Sequence, residues 1–167
     1  FVSAAVRFRC AEFDHAVEAM RVGMAQNVPV FVLPLFTYKE LMVRVCGDAA
    51  VDVEVLKKIL KNKLDGGEKD PRMGWLLTVL REFSNEERKE FLGFVWGRER
   101  LPRDTSGLTI EVRSQSSFGD DHLPSSQTCF NTLLIPHYSS LEAMREKLAY
   151  AISNCKEIDT DYVEPGA

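Results

Sequence analysis

The sequence is poor in the residues and patterns that define many protein classes. No apolar run approaches the roughly 20 residues that a membrane-spanning helix needs, so no membrane partner is expected. Acidic residues outnumber basic ones by 25 to 21, for a formal net charge of −4. That balance leaves no large basic surface and argues against a nucleic-acid partner. The four cysteines, Cys10, Cys46, Cys129 and Cys155, form no C-x-x-C pair and have no histidine at ligand spacing. Neither a structural metal nor a disulfide framework is expected, nor any cofactor. Free thiols suit a reducing compartment, cytoplasmic or nuclear. There is no G-x-S-x-G, Walker loop, G-x-G-x-x-G or H-E-x-x-H. The opening FVSAAVRFRC lacks a signal peptide's basic leader and cleavage pattern and starts in mid-pattern, so it is expected to continue a longer chain.

What remains is an ordinary globular composition, 45% apolar and 28% charged over 167 residues. Phe13, Val17, Met20 and Met24 recur at helical spacing. The VFVL stretch between Pro29 and Pro34 reads as a short extended piece. Thr37 and Glu40 have the spacing of a capping box, and the helix they open stops at Gly47. A further helix starts at Asp52, and Lys57, Lys58, Lys61 and Lys63 read as its solvated face rather than a polyanion site.

LDGGEKDP (Leu64–Pro71) breaks the helical pattern with two glycines and a proline. Beyond it, helices are expected around Trp75–Phe83 and, after a capping box at Ser84–Glu87, up to Gly97. Both tryptophans, Trp75 and Trp96, read as core residues. Leu108, Ile110 and Val112 alternate as in a strand, and Phe130 to Ile135 reads as a second strand. Ser139 and Glu142 have the spacing of a third capping box, opening a last helix with Leu141, Met144, Leu148, Ile152 and Cys155 on one stripe. The fold class is α+β. Residues 1–64 form a helical part, 65–70 a glycine-rich hinge, and 71–167 a small α+β part.

Within that part Cys129 is unusual. Ser125, Ser126, Gln127 and Thr128 precede it and an apolar run follows, so it stands where a polar loop enters a rigid strand. It reads as an accessible thiol rather than a small core hydrophobe, whereas Cys10, Cys46 and Cys155 lie on apolar helical stripes and read as packing residues. His122, seven residues earlier, raises a cysteine–histidine hydrolase pair as a rival. Neither an orienting third residue nor an oxyanion hole can be located for it.

The segment LPSSQTCFNTLLIPHYSS resembles the active-site region of HECT-type ubiquitin ligases. The family pattern falls on Leu123, Pro124, Thr128, Cys129, Phe130, Pro136, Tyr138, Ser139 and Ser140. FLGFVWGRERLP, FDHAVEAMRVGM, LFTYKELMVRVCG and GWLLTVLREFSNEER match other family segments in order and spacing, so the likeness covers nearly the whole chain. The ending CKEIDTDY is similar to those of the large HECT ligases that carry RCC1-type repeats. Gln127 stands where many members have histidine, and Ile158 where many have a phenylalanine near the C-terminus.

The resemblance implies a ubiquitin transferase in which Cys129 accepts ubiquitin as a thioester from a conjugating enzyme and passes it to a lysine of a protein substrate. Residues 1–64 would be the end of the N-lobe and 71–167 the C-lobe, with the subdomain that docks the conjugating enzyme preceding Phe1. Thr128 and Asn131 either hydrogen-bond ubiquitin's tail or shape the turn, and Phe130, the third residue of this ubiquitin-tail loop, reads as a core anchor that fixes the cysteine rather than as a ubiquitin contact. The strand after Cys129 offers the tail a track by strand addition. Asp159 and Asp161 either orient the acceptor lysine and take its proton or are solvated tail charges. The alternative from another class is a non-catalytic ubiquitin- or partner-binding module of the same architecture.

Overall fold

The computed structural model describes residues 1–115 and 117–154. The chain forms two compact units, Phe1–Val45 and Cys46–Ala167, and among the described residues no helix is long and apolar enough to cross a membrane.

The first unit is helical. It contains α1 (Val2–Ala11), α2 (Asp14–Ala25), a 3-10 helix over Val30–Leu35 and α3 (Tyr38–Cys46), whose last residue crosses the unit boundary. VFVL is thus part of a 3-10 helix, not an extended piece. The expected capping box holds: Thr37 N–H donates to Glu40 Oε2 at 2.8 Å, and Glu40 N–H to Thr37 Oγ1 at 3.3 Å. The helical spacing of Phe13, Val17, Met20 and Met24 is correct, but all four are exposed. Cys10 and Cys46 are exposed too, which corrects their reading as packing residues. Periodicity marks an apolar stripe; it does not say whether a layer lies against it.

The second unit is α+β and begins in the chain before LDGGEKDP. The short helix α4 (Val53–Ile59) passes directly into β1 (Leu60–Lys63), followed by α5 (Pro71–Glu82) and α6 (Asn85–Trp96). Then come β2 (Ile110–Ser114), β3 (Ser125–Gln127), β4 (Thr132–Ile135) and α7 (Leu141–Asn154). The sheet order is β1-β2-β4-β3, with β1 and β4 parallel to β2 and β3 antiparallel to β4. Lys57 and Lys58 therefore end a helix, while Lys61 and Lys63 lie on an edge strand. A solvated helix face accounts for only half the cluster, and charge on the edge strand discourages pairing with other chains.

One face of the sheet, carrying Ile110, Val112, Leu133 and Ile135, is buried with Leu76, Leu80, Phe91, Leu92, Met144 and Leu148 from the helices. Trp75 and Trp96 pack against this core while remaining partly exposed. Ser84 and Glu87 close their capping box, and Gly97 ends α6 in the left-handed conformation at φ 74°. At α7 the cap is Ser140, whose Oγ accepts from Ala143 N–H at 3.1 Å. Ser139 instead donates its N–H and hydroxyl to Asp120, so the expected third capping box is replaced by a simple N-cap one residue on.

Residues 65–70, expected as a hinge, are folded into the second unit. Asn62 Nδ2 donates to the Gly67 carbonyl at 2.7 Å, and Asp65 N–H donates to Ser114 Oγ at 3.1 Å. Asp70 caps α5 through Arg72 N–H and forms a buried ion pair with the Arg72 guanidinium at 2.6 Å. That guanidinium also donates to Ser114 Oγ and to the carbonyls of Ile135 and Pro136. Gly66 and Gly67 lie in a tight turn, with Gly67 at φ 59°.

The unit boundary lies instead beside Gly47. Gly47 has φ 87°, and a Cβ added there would collide with the Leu101 carbonyl oxygen. Asn85 holds the following segment by accepting from Val51 N–H and donating to the Ala49 carbonyl. Arg100 reaches the Gly47 carbonyl at 3.4 Å.

Two outcomes follow for stability. Gly47→Ala should destabilise the second unit by about 3 kcal/mol or more, combining left-handed strain with a backbone clash, whereas Gly67→Ala, strained but unobstructed, should cost only about 1 kcal/mol. Urea unfolding of the two variants gives both numbers. The Arg72 guanidinium holds the Asp70 carboxyl below its ordinary range, so the pair stabilises at pH values above about 4. That stability is lost as pH falls through the lowered folded-state value. Asp70→Asn should cost about 3 kcal/mol at neutral pH, and its deficit in thermal or urea unfolding should shrink as the pH drops below about 4.

Candidate active site

The residues around Cys129 form a sharply bent connection between two strands. β3 runs antiparallel to β4, with Ser125 opposite Leu134, Ser126 opposite Leu133 and Gln127 opposite Thr132. The chain then makes a 3-10 turn over Thr128–Phe130 and enters β4. Asn131 closes the turn, its N–H donating to the Thr128 carbonyl at 3.3 Å, and sits at φ 49°, ψ 46°. It is the only non-glycine residue with positive φ among those described. Asparagine tolerates this region better than most side chains, which is the local reason the sequence can turn here.

Three further contacts fix the turn. Glu111 N–H of β2 donates to the Asn131 carbonyl at 2.9 Å, extending the parallel ladder past the end of β4. Thr132, buried, donates its hydroxyl to the Phe130 carbonyl at 3.1 Å. Ser126 donates its hydroxyl to the Phe94 carbonyl in α6 at 2.6 Å, fastening β3 to the helix layer. Cys129 is a free, exposed thiol at the middle of this turn. None of the described hydrogen bonds involves its Sγ.

The structure places the other expected site residues as follows. Thr128 and Asn131 flank the cysteine and shape the turn through their backbones. Phe130 is 74% exposed, so it does not anchor the cysteine in the core; Ser126, Thr132 and the Glu111 ladder bond do that work. The strand begins at Thr132 rather than Phe130. β4 is paired on both sides, by β2 and β3, so it has no free edge for an added strand. The free edge beside Cys129 belongs to β3.

His122 is far from the thiol. Its carbonyl accepts from the Tyr138 hydroxyl at 2.8 Å, beyond the opposite end of β4, and β4 alone spans on the order of 13 Å. Burial pushes the Tyr138 phenol well above its ordinary range, so it remains a donor. A cysteine–histidine pair between His122 and Cys129 is therefore excluded. Asp159, Asp161, Ile158 and Cys155 lie outside the described residues.

Sequence reasoning missed β3 because Ser125, Ser126 and Gln127 show no apolar alternation, only a polar edge strand. It also missed the left-handed turn, although an asparagine just before a strand was a usable signal.

Among the described residues, no side chain hydrogen-bonds the exposed Cys129 thiol on its braced turn. The family model described as HECT-domain (ubiquitin-transferase) matches residues 1–160, and the chain belongs to this family. It is 43% identical over 167 residues to E3 ubiquitin-protein ligase HERC2 of Homo sapiens, covering 96% of this chain and 3% of that protein. E3 ubiquitin-protein ligase UPL4 of Arabidopsis thaliana is 38% identical over 152 residues, covering 86% of this chain and 10% of that protein. E3 ubiquitin-protein ligase HUWE1 of Mus musculus is 29% identical over 148 residues, covering 81% and 3%. The chain thus spans only a small fraction of the length of these relatives.

The turn geometry makes a direct prediction. Asn131→Gly should preserve stability to within about 1 kcal/mol, because glycine takes positive φ without strain. Asn131→Val should cost about 2 kcal/mol, because a β-branched residue is strained there. Urea unfolding of the two variants distinguishes a backbone role for Asn131 from a role for its amide side chain.

Proposed function

We propose that this chain is the transferring part of a ubiquitin ligase and that Cys129 is its nucleophile. The observation that carries the reading is the exposure of the Cys129 thiol on a turn held by β2, β4 and α6. The Cys129 thiolate attacks the thioester carbonyl at ubiquitin's C-terminus, and the S–C bond to the conjugating enzyme breaks. The leaving thiolate takes up a proton from solvent. One thioester replaces another, so the step is nearly isoenergetic and calls for access and orientation rather than a triad. A lysine amine of the protein substrate then attacks the new carbonyl, the Cys129–ubiquitin S–C bond breaks, and the amine's proton passes to solvent. The product is an isopeptide bond, and the Cys129 thiolate is regenerated.

The family's two-lobe organisation supports a pivot between the units, and we place it at Cys46–Gly47. Gly47, Ala49 and Val51 are hydrogen-bonded to the rest of the second unit by Arg100 and Asn85. On this reading the N-lobe remnant is residues 1–45, and α4 and β1 belong to the C-lobe.

In full-length protein carrying this sequence, charged conjugating enzyme should yield a thiol-sensitive ubiquitin adduct on a non-reducing gel. Cys129→Ala should abolish that adduct while leaving the thermal midpoint within about 2 °C of the parent, since the thiol is exposed. An adduct that persists in Cys129→Ala would place the nucleophile at another cysteine, and no adduct on the parent would favour the non-catalytic binding module.

A further inference from the structure

The second transfer step has a requirement that the first lacks. A lysine side chain has an ordinary pKa of about 10.4, so at neutral pH nearly every acceptor arrives as an ammonium ion. It must be held beside the thioester and must shed a proton before its nitrogen can attack. The turn that carries Cys129 has no group for either task, because Gln127 to Thr132 contains no carboxylate and no histidine.

The neighbouring strand β2 supplies one. Glu111 N–H donates to the Asn131 carbonyl at 2.9 Å, which ties the Glu111 backbone to the turn itself. Ile110 and Val112 are buried in the core, so the alternation along β2 puts Glu111 and Arg113 on the opposite side of the sheet. By register Glu111 lies opposite Thr132, about 4.8 Å away, and Thr132 lies opposite Gln127. Cys129 comes shortly before Thr132 in one tight turn, which adds less than about 7 Å. A lysine that arrives over this side of the sheet can therefore bring its nitrogen between the Glu111 carboxylate and a carbonyl on Cys129.

The carboxylate is held in a particular way. Arg113 donates from Nε at 2.9 Å and from Nη2 at 2.6 Å to the same oxygen, Oε2. None of the described hydrogen bonds involves Oε1. One oxygen is thus fixed and the other open, on a side chain that is 31% exposed. A pair this accessible to solvent contributes little to stability. A fixed carboxylate with one open oxygen is what orients an ammonium and takes its proton as the nitrogen attacks.

We propose that Glu111 is the acceptor-binding carboxylate, whose Oε1 accepts a hydrogen bond from the incoming lysine and receives its proton. The inference rests on Cys129 being the nucleophile. The ammonium gives one proton to Glu111 as its lone pair forms the C–N bond. The Cys129–ubiquitin S–C bond breaks, and Cys129 leaves as a thiolate. The second proton on the nitrogen passes to solvent, and Glu111 returns its own to solvent. Loading of Cys129 has no ammonium to deprotonate and does not involve Glu111.

The test uses full-length protein carrying Glu111→Gln, which keeps the side chain's shape and an oxygen for Arg113 while removing the charge. Thermal unfolding should match the parent to within about 2 °C, and loading from charged conjugating enzyme should be unchanged. Single-turnover discharge of the preloaded thioester onto lysine should slow at least tenfold at neutral pH. The deficit should shrink as the pH rises toward the lysine's own value of about 10.4. Discharge onto hydroxylamine, which is uncharged at neutral pH, should stay at the parent rate. Equal discharge onto lysine in variant and parent would overturn the proposal, and so would a deficit that is the same at every pH. Slow loading, or slow discharge onto hydroxylamine, would overturn it as well, since Glu111 would then be a support of the turn. In each of these cases an adduct still dependent on Cys129 leaves the nucleophile's assignment intact.

Discussion

A single buried guanidinium joins three parts of the second unit, the start of α5 and the ends of β2 and β4. Arg72 bonds Asp70 at the start of α5, Ser114 at the end of β2, and the carbonyls of Ile135 and Pro136 where β4 leaves the sheet. An unpaired charge in that place would be costly, so the Asp70 carboxylate is as much a requirement as the arginine. The pair fixes the far end of β4, and Tyr138 and Asp120 fix the loop beside it. With that end held, β4 has one register against β2, and the position of everything at its other end follows. The Cys129 turn is at that other end. The thiol's placement thus depends on an ion pair a strand's length away.

Much of this architecture could be read from the sequence, and the failures have definite causes. Helices with caps were legible because Thr37, Ser84, Gly47 and Gly97 do local jobs that local chemistry dictates. β2 and β4 were legible because each buries one face. β1 was hidden because α4 runs into it without a break, and Lys61 and Lys63 look the same on a helix face as on an edge strand. LDGGEKDP was read as a hinge since glycine and proline signal an interruption of pattern, and the contacts of Asn62 and Asp65 that fold it into the second unit were not legible there. The unit boundary before Gly47 was missed because the bonds from Asn85 and Arg100 that hold the segment after it span more than thirty residues.

At the candidate site the exposed cysteine was legible while its supports were not. Cys129 stood out because polar residues lead to it and apolar ones follow. That Phe130 faces water while Thr132 is buried runs against the side chains' own preferences. The turn decides it: a left-handed Asn131 resets the alternation, so the strand's inward and outward positions count from Thr132. A single residue of positive φ therefore inverted the expected roles of two neighbours. The resemblance to a family identified the chemistry, and the fold shows how the chain presents it.

The pairing of β4 with both neighbours has a consequence for how the thiol comes into being. Glu111 and Asn131 meet only after the chain between them has folded back as β3, and β2 itself pairs with β1 across the whole of α5 and α6. Contacts this distant in sequence form late in folding compared with helix turns. A peptide cut from Leu123 to Pro136 would contain the same cysteine without the corner that displays it. On the ribosome the chain is in a similar condition until β4 has cleared the exit and found its place. The presentation of Cys129 is thus a property of the finished sheet, and a half-made or unfolded copy has the thiol but not its address.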